Sequence, residues 1–374
     1  MHDPAPIRRL VHVPALDILR AFAVSLVVMS HIWVVAPYFY YREIFSQAGC
    51  LGVDLFFVLS GFLITALLVQ EHHDLGRIRF GRFYLRRAVR LLPALFAILS
   101  GYLLYAWLAG WPPLENRSWV VGSAGATLVF AMNWRTLWNP VAAGDLVAMW
   151  SLAIEAQFYL VWPVILAVIF GIRRNVRLVI PALAGLIIAV TAWRVLVYHW
   201  WGWEAAYLRT DTRVDGLLIG ALTATLFVRG LTPARLPRWT PWVVGATWFG
   251  LMLTVKADGA FAYQGGITLW IVASAIMILF LVSHPRPLRS WPARGAEIIG
   301  KGSYAIYLWQ VPVIYAVSRQ GNPNASVRRI ILCLVGIAIT ATLSWFLVEQ
   351  PAQRFARRFG ARGASSVDSP PSAF

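Results

Sequence analysis

The chain has 374 residues, 59% of them hydrophobic and only 13% charged, with 19 tryptophans. A soluble globular domain carries roughly twice that share of charge, so a water-soluble fold is excluded. The formal net charge of +17 would suggest nucleic acid in a soluble protein, but here the arginines sit in short connections between apolar runs. That is the positive-inside pattern of a membrane protein, and no nucleic-acid partner is expected.

Arg8 and Arg9 precede the first apolar run. This run is too long for a signal-peptide core and ends in aromatics, so it is expected to be a retained span. Runs of the length that crosses hydrocarbon as a helix are predicted at residues 16–37, 49–70, 91–111, 118–133, 146–171, 178–200, 214–228, 241–256, 266–283, 303–318 and 328–348. The arginine-rich connections at 77–90, 173–177, 229–238, 286–301 and 354–362 should all be cytoplasmic. With the N-terminus inside, an even number of crossings must separate 77–90 from 173–177, yet three candidates lie between them. The run 118–133, short, rich in small residues and flanked by Pro112, Pro113 and Pro140, is therefore expected at the outer face or as a re-entrant segment.

The expected fold is all-α, a polytopic membrane protein of about ten transmembrane helices with both termini cytoplasmic. Residues 1–15 form a cytoplasmic N-terminal segment, 16–353 one membrane domain, and 354–374, "GARGASSVDSPPSAF" at its end, a disordered tail. Cys50 and Cys333 lie in or beside apolar runs, so neither a disulfide framework nor a metal site is expected. No matched pair of Gly/Pro-broken spans suggests an inverted-repeat transporter.

An ionisable residue inside a span is costly and usually faces a protein-lined cavity. In "DILRAFAVSLVVMSHIW", Asp17, Arg20 and His31 interrupt the first span. Arg20 and His31 are eleven residues apart, so they share a helix face about 16 Å apart along the axis. By the same counting Asp54, Glu155 and Gln310 reach depths comparable to His31 from three other spans. Asp54 could face His31, and histidine with carboxylates in a water-restricted pocket is the equipment of general acid/base chemistry. A boundary ion pair at Asp17 and Arg20, a satisfied core histidine, and a buried neutral Glu155 are the blander alternatives. In "GRIRFGRFYLRRAVRLLP", six arginines include Arg86, Arg87 and Arg90 at helical spacing, a patch suited to bidentate phosphate binding by an anionic lipid or a nucleotide-bearing donor. In "YLRTDTRVDGLLIG", Asp211, Arg213 and Asp215 stand at the mouth of the next span, where they would be a solvated loop or partners for the hydroxyls of a sugar.

The chain resembles the acyltransferase-3 family of integral membrane O-acyltransferases of bacterial surface glycans, glycolipids, peptidoglycan and macrolides. The resemblance rests on "LDILRAFAVSLVVMSH", "GVDLFFVLSGFLIT", "RFYLRRAVRLLPAL", "WSLAIEAQFYLVWPV", "TDTRVDGLLIG", "GSYAIYLWQVPV" and "LVEQP", seven blocks in family order across residues 14–353. It implies a ten-helix domain in the bacterial inner membrane that passes an acyl group, usually acetyl, from cytoplasmic acyl-CoA, a co-substrate and not a bound cofactor, to an acceptor hydroxyl at the outer face. It places the essential histidine on His31, the first-helix arginine on Arg20, the RxxR motif on Arg87 to Arg90 with Arg86 adjoining, and a conserved glutamate on Glu155. The chain departs from the pattern at Gln310, where many members have His, and at Ala156, where many have a second Glu. No esterase domain follows the last span in this sequence, so no acyl relay to an attached domain is expected.

The expectation is thus an acyltransferase acting on groups other than aminoacyl groups. Arg20, Arg86, Arg87 and Arg90 would hold acyl-CoA, and His31 would be general base or acyl carrier. Asp54 or Glu155 would orient it. Asp211, Arg213 and Asp215 would position a carbohydrate, glycolipid or macrolide acceptor, Tyr304 would serve as an oxyanion donor, and membrane lipid would surround the domain. The rival expectation is a proton-coupled transporter or flippase using His31 and Glu155 as a relay.

Overall fold

The structure is a computed structural model that describes residues 7–32, 35, 42–109, 116–172, 179–285, 290–319 and 326–355. The expected cytoplasmic tail and the arginine connection at 173–177 lie outside the described residues, apart from the helical residues 354 and 355. Every described element is helical. In a chain this apolar that is the expected solution, because a helix satisfies its backbone groups internally where water is absent.

The helices in chain order are α1 (Pro14–Ile32), α2 (Arg42–Leu75), α3 (Phe80–Leu108), α4 (Arg117–Leu128), α5 (Met132–Trp138), α6 (Pro140–Ala143), α7 (Met149–Ile172), α8 (Val179–Leu208), α9 (Thr210–Arg213), α10 (Asp215–Val228), α11 (Thr240–Thr254), α12 (Ile267–Ser283), α13 (Trp291–Lys301), α14 (Ser303–Ser318) and α15 (Ser326–Ser344). A π-helical turn, Trp345–Glu349, follows α15. Among the described residues seven segments are long and apolar enough to cross a membrane: 14–32, 49–75, 80–108, 149–170, 179–208, 262–283 and 327–355. α10, α11 and α14 are shorter, at 14, 15 and 16 residues. The doubtful run at 118–133 becomes α4, capped by the Asn116 side chain, and the start of α5. At 12 residues α4 spans about 18 Å, well short of the hydrocarbon thickness. Between the two helices Phe130 adopts a positive φ of 54°, a strained turn for an aromatic residue. Its carbonyl is held by the Gln157 side chain at 2.8 Å.

Hydrogen bonds sort the helix ends onto two sides. On one side Arg9 binds Asp74 through both guanidinium nitrogens at 2.9 and 2.8 Å, the Arg8 backbone binds Val228, and Arg86 reaches Glu71 at 3.5 Å. The amphipathic α13 packs so closely on the start of α1 that a Cβ at Gly300 would overlap the Asp17 backbone. On the other side Arg319 grips Asp145 at 2.6 and 2.9 Å, and Asn133 holds the Leu208 carbonyl at 3.1 Å. The first side carries Arg8, Arg9 and the arginine connection 77–90, the side that the positive-inside expectation assigns to the cytoplasm.

The tightest helix contact is α2 against α10. Gly216 and Gly220 form a small-xxx-small stripe that lets backbones approach, the usual device where lipid supplies no hydrophobic driving force. A Cβ at Gly61 would overlap the Leu217 carbonyl, and one at Gly220 the Val58 carbonyl. Gly61→Val is therefore expected to destabilise the protein by about 1–3 kcal/mol or more, read as a lowered thermal unfolding midpoint in detergent. Gly125→Ala, where a Cβ meets open space, should melt like the wild type. A Gly61→Val protein as stable as the wild type would show that this contact does not hold the two helices.

Candidate active site

Two polar regions lie along α1, one at each end. At its N-terminal end Asp17 accepts from Arg20 at 2.8 Å and pairs with His12 at 3.2 Å. Asp17 is buried while Arg20 keeps part of its surface. The expected boundary pair is therefore formed, and its arginine still presents a donor face to a ligand.

Arg20 shares its surroundings with two arginines of α3. Arg87 and Arg90 lie within electrostatic range of Arg20 and of Glu155 on α7. The Arg87 guanidinium stacks over the rings of Phe83 and Tyr159, 5.8 and 5.4 Å from their centroids. Arg90 is exposed and Arg87 half-buried, so the cluster is not sealed inside the protein. Arg86 turns away to Glu71 on α2. Arg20 shares its charge with Asp17, while Arg87 and Arg90 gather beside it, and such a concentration of guanidinium groups makes the region a candidate for a polyphosphate ligand.

Above this cluster Glu155 accepts from Ser60 at 2.9 Å and from Tyr159 at 3.0 Å, joining α7 to α2. Tyr304, expected as an oxyanion donor, donates instead to the Leu91 carbonyl at 2.9 Å. Its hydroxyl is committed to the backbone of α3. Gln310 is fully buried, and neither atom of its amide finds a hydrogen-bond partner. A buried unpartnered amide is costly.

At the C-terminal end of α1, His31 is half-buried, with Nδ1 2.8 Å from the Val27 carbonyl and 3.3 Å from Ser30 Oγ. Ser30 Oγ itself donates to the same carbonyl at 2.7 Å. A carbonyl oxygen only accepts, so Nδ1 carries the hydrogen and Nε2 keeps its lone pair. The ring is therefore held as the tautomer able to take a proton at Nε2.

Among the described residues no carboxylate does this orienting. Asp54, expected to face His31, is fully buried in an ion pair with Arg213 at 2.5 Å, and Glu155 is held by Ser60 and Tyr159. The helix rotation that counting residues leaves open has turned Asp54 toward α9 and α10, away from α1. Arg213 and Asp215 are likewise fully buried, and neither stands at a pocket mouth. Asp215 pairs with Arg194 of α8, which also donates to Thr268 at 2.5 Å. Two aspartates and two arginines thus neutralise one another inside the bundle. Asp211 alone of that expected trio reaches solvent, its side chain 43% exposed. Partial burial opposes its ionisation, but hydrogen bonds from Arg209 and Trp193 outweigh this and hold the carboxyl below its usual range.

Ser60, Tyr159 and Arg194 escaped the sequence reading. Arg194 carried a visible signal, a lone arginine in mid-span. Ser60 and Tyr159 lie inside the quoted blocks, but a hydroxyl among apolar residues gives no sign of the carboxylate it will meet. An apolar groove of about 490 Å³ between α1, α11 and α12, lined by Ile18, Phe22, Trp248, Phe249, Met252 and Met277, suits hydrocarbon and offers no reacting group.

Comparison with known proteins gives a family and relatives. A model described as an acyltransferase domain matches residues 13–349. The chain is 33% identical to YrhL of Bacillus subtilis over 364 residues, covering 91% of this chain and 55% of that protein. It is 30% identical to the peptidoglycan O-acetyltransferase OatA of Listeria monocytogenes over 363 residues, 92% of this chain and 56% of the relative. It is 29% identical to the O-acetyltransferase OatA of Staphylococcus aureus over 375 residues, 92% and 57% respectively. The chain thus spans about half the length of the curated relatives it matches. No solved structure matches it.

Asp54 and Arg213 provide a test of the corrected site. Removing one partner of a buried pair leaves an uncompensated charge, so Asp54→Asn and Arg213→Met should each cost about 3–5 kcal/mol of stability. The double variant Asp54→Leu/Arg213→Met, which removes both charges, should recover most of it in a denaturant titration of detergent-solubilised protein. Single variants as stable as the wild type would show the pair to be dispensable to the fold.

Proposed function

Because the chain belongs to the acyltransferase-3 family, we propose that it is a membrane O-acyltransferase that moves an acetyl group from cytoplasmic acetyl-CoA to a hydroxyl of a cell-envelope glycan. The observation that carries the reading is the His31 ring, held by the Val27 carbonyl with Nε2 free about 16 Å along α1 from Arg20. The names of the relatives, O-acetyltransferases of peptidoglycan in two instances of bacterial origin, support a glycan acceptor and a bacterial cytoplasmic membrane.

Arg20, Arg87 and Arg90 hold the phosphates of CoA at the inner face, and the pantetheine arm runs between helices past Ser60 and Glu155 toward the outer end. His31 Nε2 takes the proton of the acceptor hydroxyl as its oxygen attacks the thioester carbonyl. The tetrahedral intermediate collapses with loss of CoA thiolate, and the imidazolium returns its proton to that thiolate. Glu155 is a positioning residue that keeps Tyr159, and through it Arg87, in place. The unpartnered Gln310 amide supplies hydrogen bonds to the thioester or acceptor. The membrane domain comprises residues 16–353 and crosses ten times, α10, α11 and α14 joining the seven long segments, with both termini cytoplasmic. This count matches the two-sided arrangement of helix ends.

The test incubates purified wild type and His31→Gln with radiolabelled acetyl-CoA and envelope glycan. His31→Gln should lose about 10²- to 10⁴-fold in transfer, and Arg90→Ala should raise the KM for acetyl-CoA with less change in kcat. Equal label transfer by His31→Gln would remove His31 from the mechanism. Absence of any transfer or CoA release by the wild type, with proton-coupled uptake into vesicles instead, would replace the enzyme with a transporter.

A further inference from the structure

The C-terminal part of α8 carries, with Trp134 of α5, a group of indoles that the reaction described above does not use. α8 needs about 20 residues to cross the hydrocarbon, so Trp200 and Trp201 emerge at the side opposite the arginine connections. Immediately beyond them Gly202, with φ of 83°, breaks the helix. This left-handed turn folds the chain back toward Arg209 and Asp211.

Arg209 donates to Asp211 through Nε and Nη2 at 3.0 and 2.7 Å, and Trp193 Nε1 donates to the same carboxylate at 2.8 Å. Three indoles surround the guanidinium, their rings centred 5.8 Å (Trp134), 5.9 Å (Trp193) and 5.2 Å (Trp201) from it. Trp193, Trp200 and Trp201 meet edge to face, with centroids 5.7–6.0 Å apart and interplanar angles of 71–81°. Trp200 and Trp201 are nevertheless 60% and 55% exposed.

Tryptophan is common where a helix leaves the bilayer, but an interfacial belt requires each ring only to sit at headgroup depth. It does not require rings from two helices to converge on one ion pair. Here flat apolar faces stand beside a fixed carboxylate and guanidinium, and Arg209 keeps its Nη1 hydrogens for a further acceptor. Both features match a pyranose ring, whose C–H face stacks on an aromatic face and whose hydroxyls donate to a carboxylate and accept from a guanidinium. The platform is also tied to the proposed reaction path. Thr210 donates to Gln157 at 2.5 Å, two residues from Glu155 on α7.

We infer that Trp200 and Trp201, with Arg209 and Asp211, form an outer-face platform that binds the pyranose rings of the acceptor glycan. The assignment of the bound chain as acceptor rests on the acyltransferase reading, while the binding itself does not.

The test uses the full chain in nanodiscs without acyl donor and a soluble tetramer of β-1,4-linked N-acetylglucosamine as probe. Tryptophan fluorescence of the wild type should titrate saturably. Trp200→Ala/Trp201→Ala should bind about tenfold more weakly with unchanged thermal unfolding, and Asp211→Asn, which removes no ring, should weaken binding independently. A wild type without a saturable response, or variants that titrate like it, would overturn the platform. So would a response that follows the nanodisc lipid and not the sugar, which would make the rings an interfacial belt. Sugar binding without any acetyl transfer would leave the platform standing and reject the acyltransferase. Transfer with an acceptor KM unaltered in the double variant would reject the platform alone.

Discussion

Asp54 and Arg213, with Asp215 and Arg194 beside them, set the condition that the packing of this bundle must meet. An isolated charge in a medium without water is expensive enough that the chain must bring its opposite within hydrogen-bond reach. α2, α8, α9 and α10 each contribute one of the four groups, so their relative rotation is fixed wherever the charges are satisfied. The glycines of α2 and α10 then make the approach possible, since any Cβ at Gly61 or Gly220 would strike the facing backbone. The pairing has a modest net effect on stability by itself. Its larger effect is to exclude every arrangement in which one of the charges is left alone.

With that part of the interior neutral, the unbalanced charge lies elsewhere. Arg20, Arg87 and Arg90 gather near Asp17 and Glu155, on the side that carries the other arginines. The far end of α1 holds an oriented imidazole. Beside the arginines Glu155 accepts from Tyr159 and Ser60, Tyr159 buried and the other two partly buried. One helix therefore carries an arginine-rich region near one end and an oriented imidazole near the other, and the same bilayer that makes charge costly in between keeps the two apart.

Much of this was legible from the residues. Span positions followed from the thickness of hydrocarbon, and the demotion of 118–133 agrees with the short α4 and the turn at Phe130. The Asp17–Arg20 pair was readable because residues three apart on a helix always share a face. What counting could not supply was rotation. Asp54 lies at the depth of His31 but faces the other way, and Arg213 and Asp215 follow loop-like residues in sequence while lying in the driest part of the fold. Arg194 shows the reverse case: its depth marked it plainly, but its partner lay on another helix. Depth along an axis is a property of one span, whereas a contact belongs to two.

The partner of His31 is a main-chain carbonyl and not an acidic side chain. A carboxylate in that position would be one codon change from loss. A carbonyl is present whatever residue stands at 27, provided the turn remains helical. The orientation of the imidazole is therefore insulated from point mutation at its anchor, and residue 27 is free to drift with the demands of packing. Its heritable weak points are instead the histidine itself and the close approach of Gly49 to Ser30 one turn away, where a side chain on the neighbouring helix would displace the serine that shares the same carbonyl.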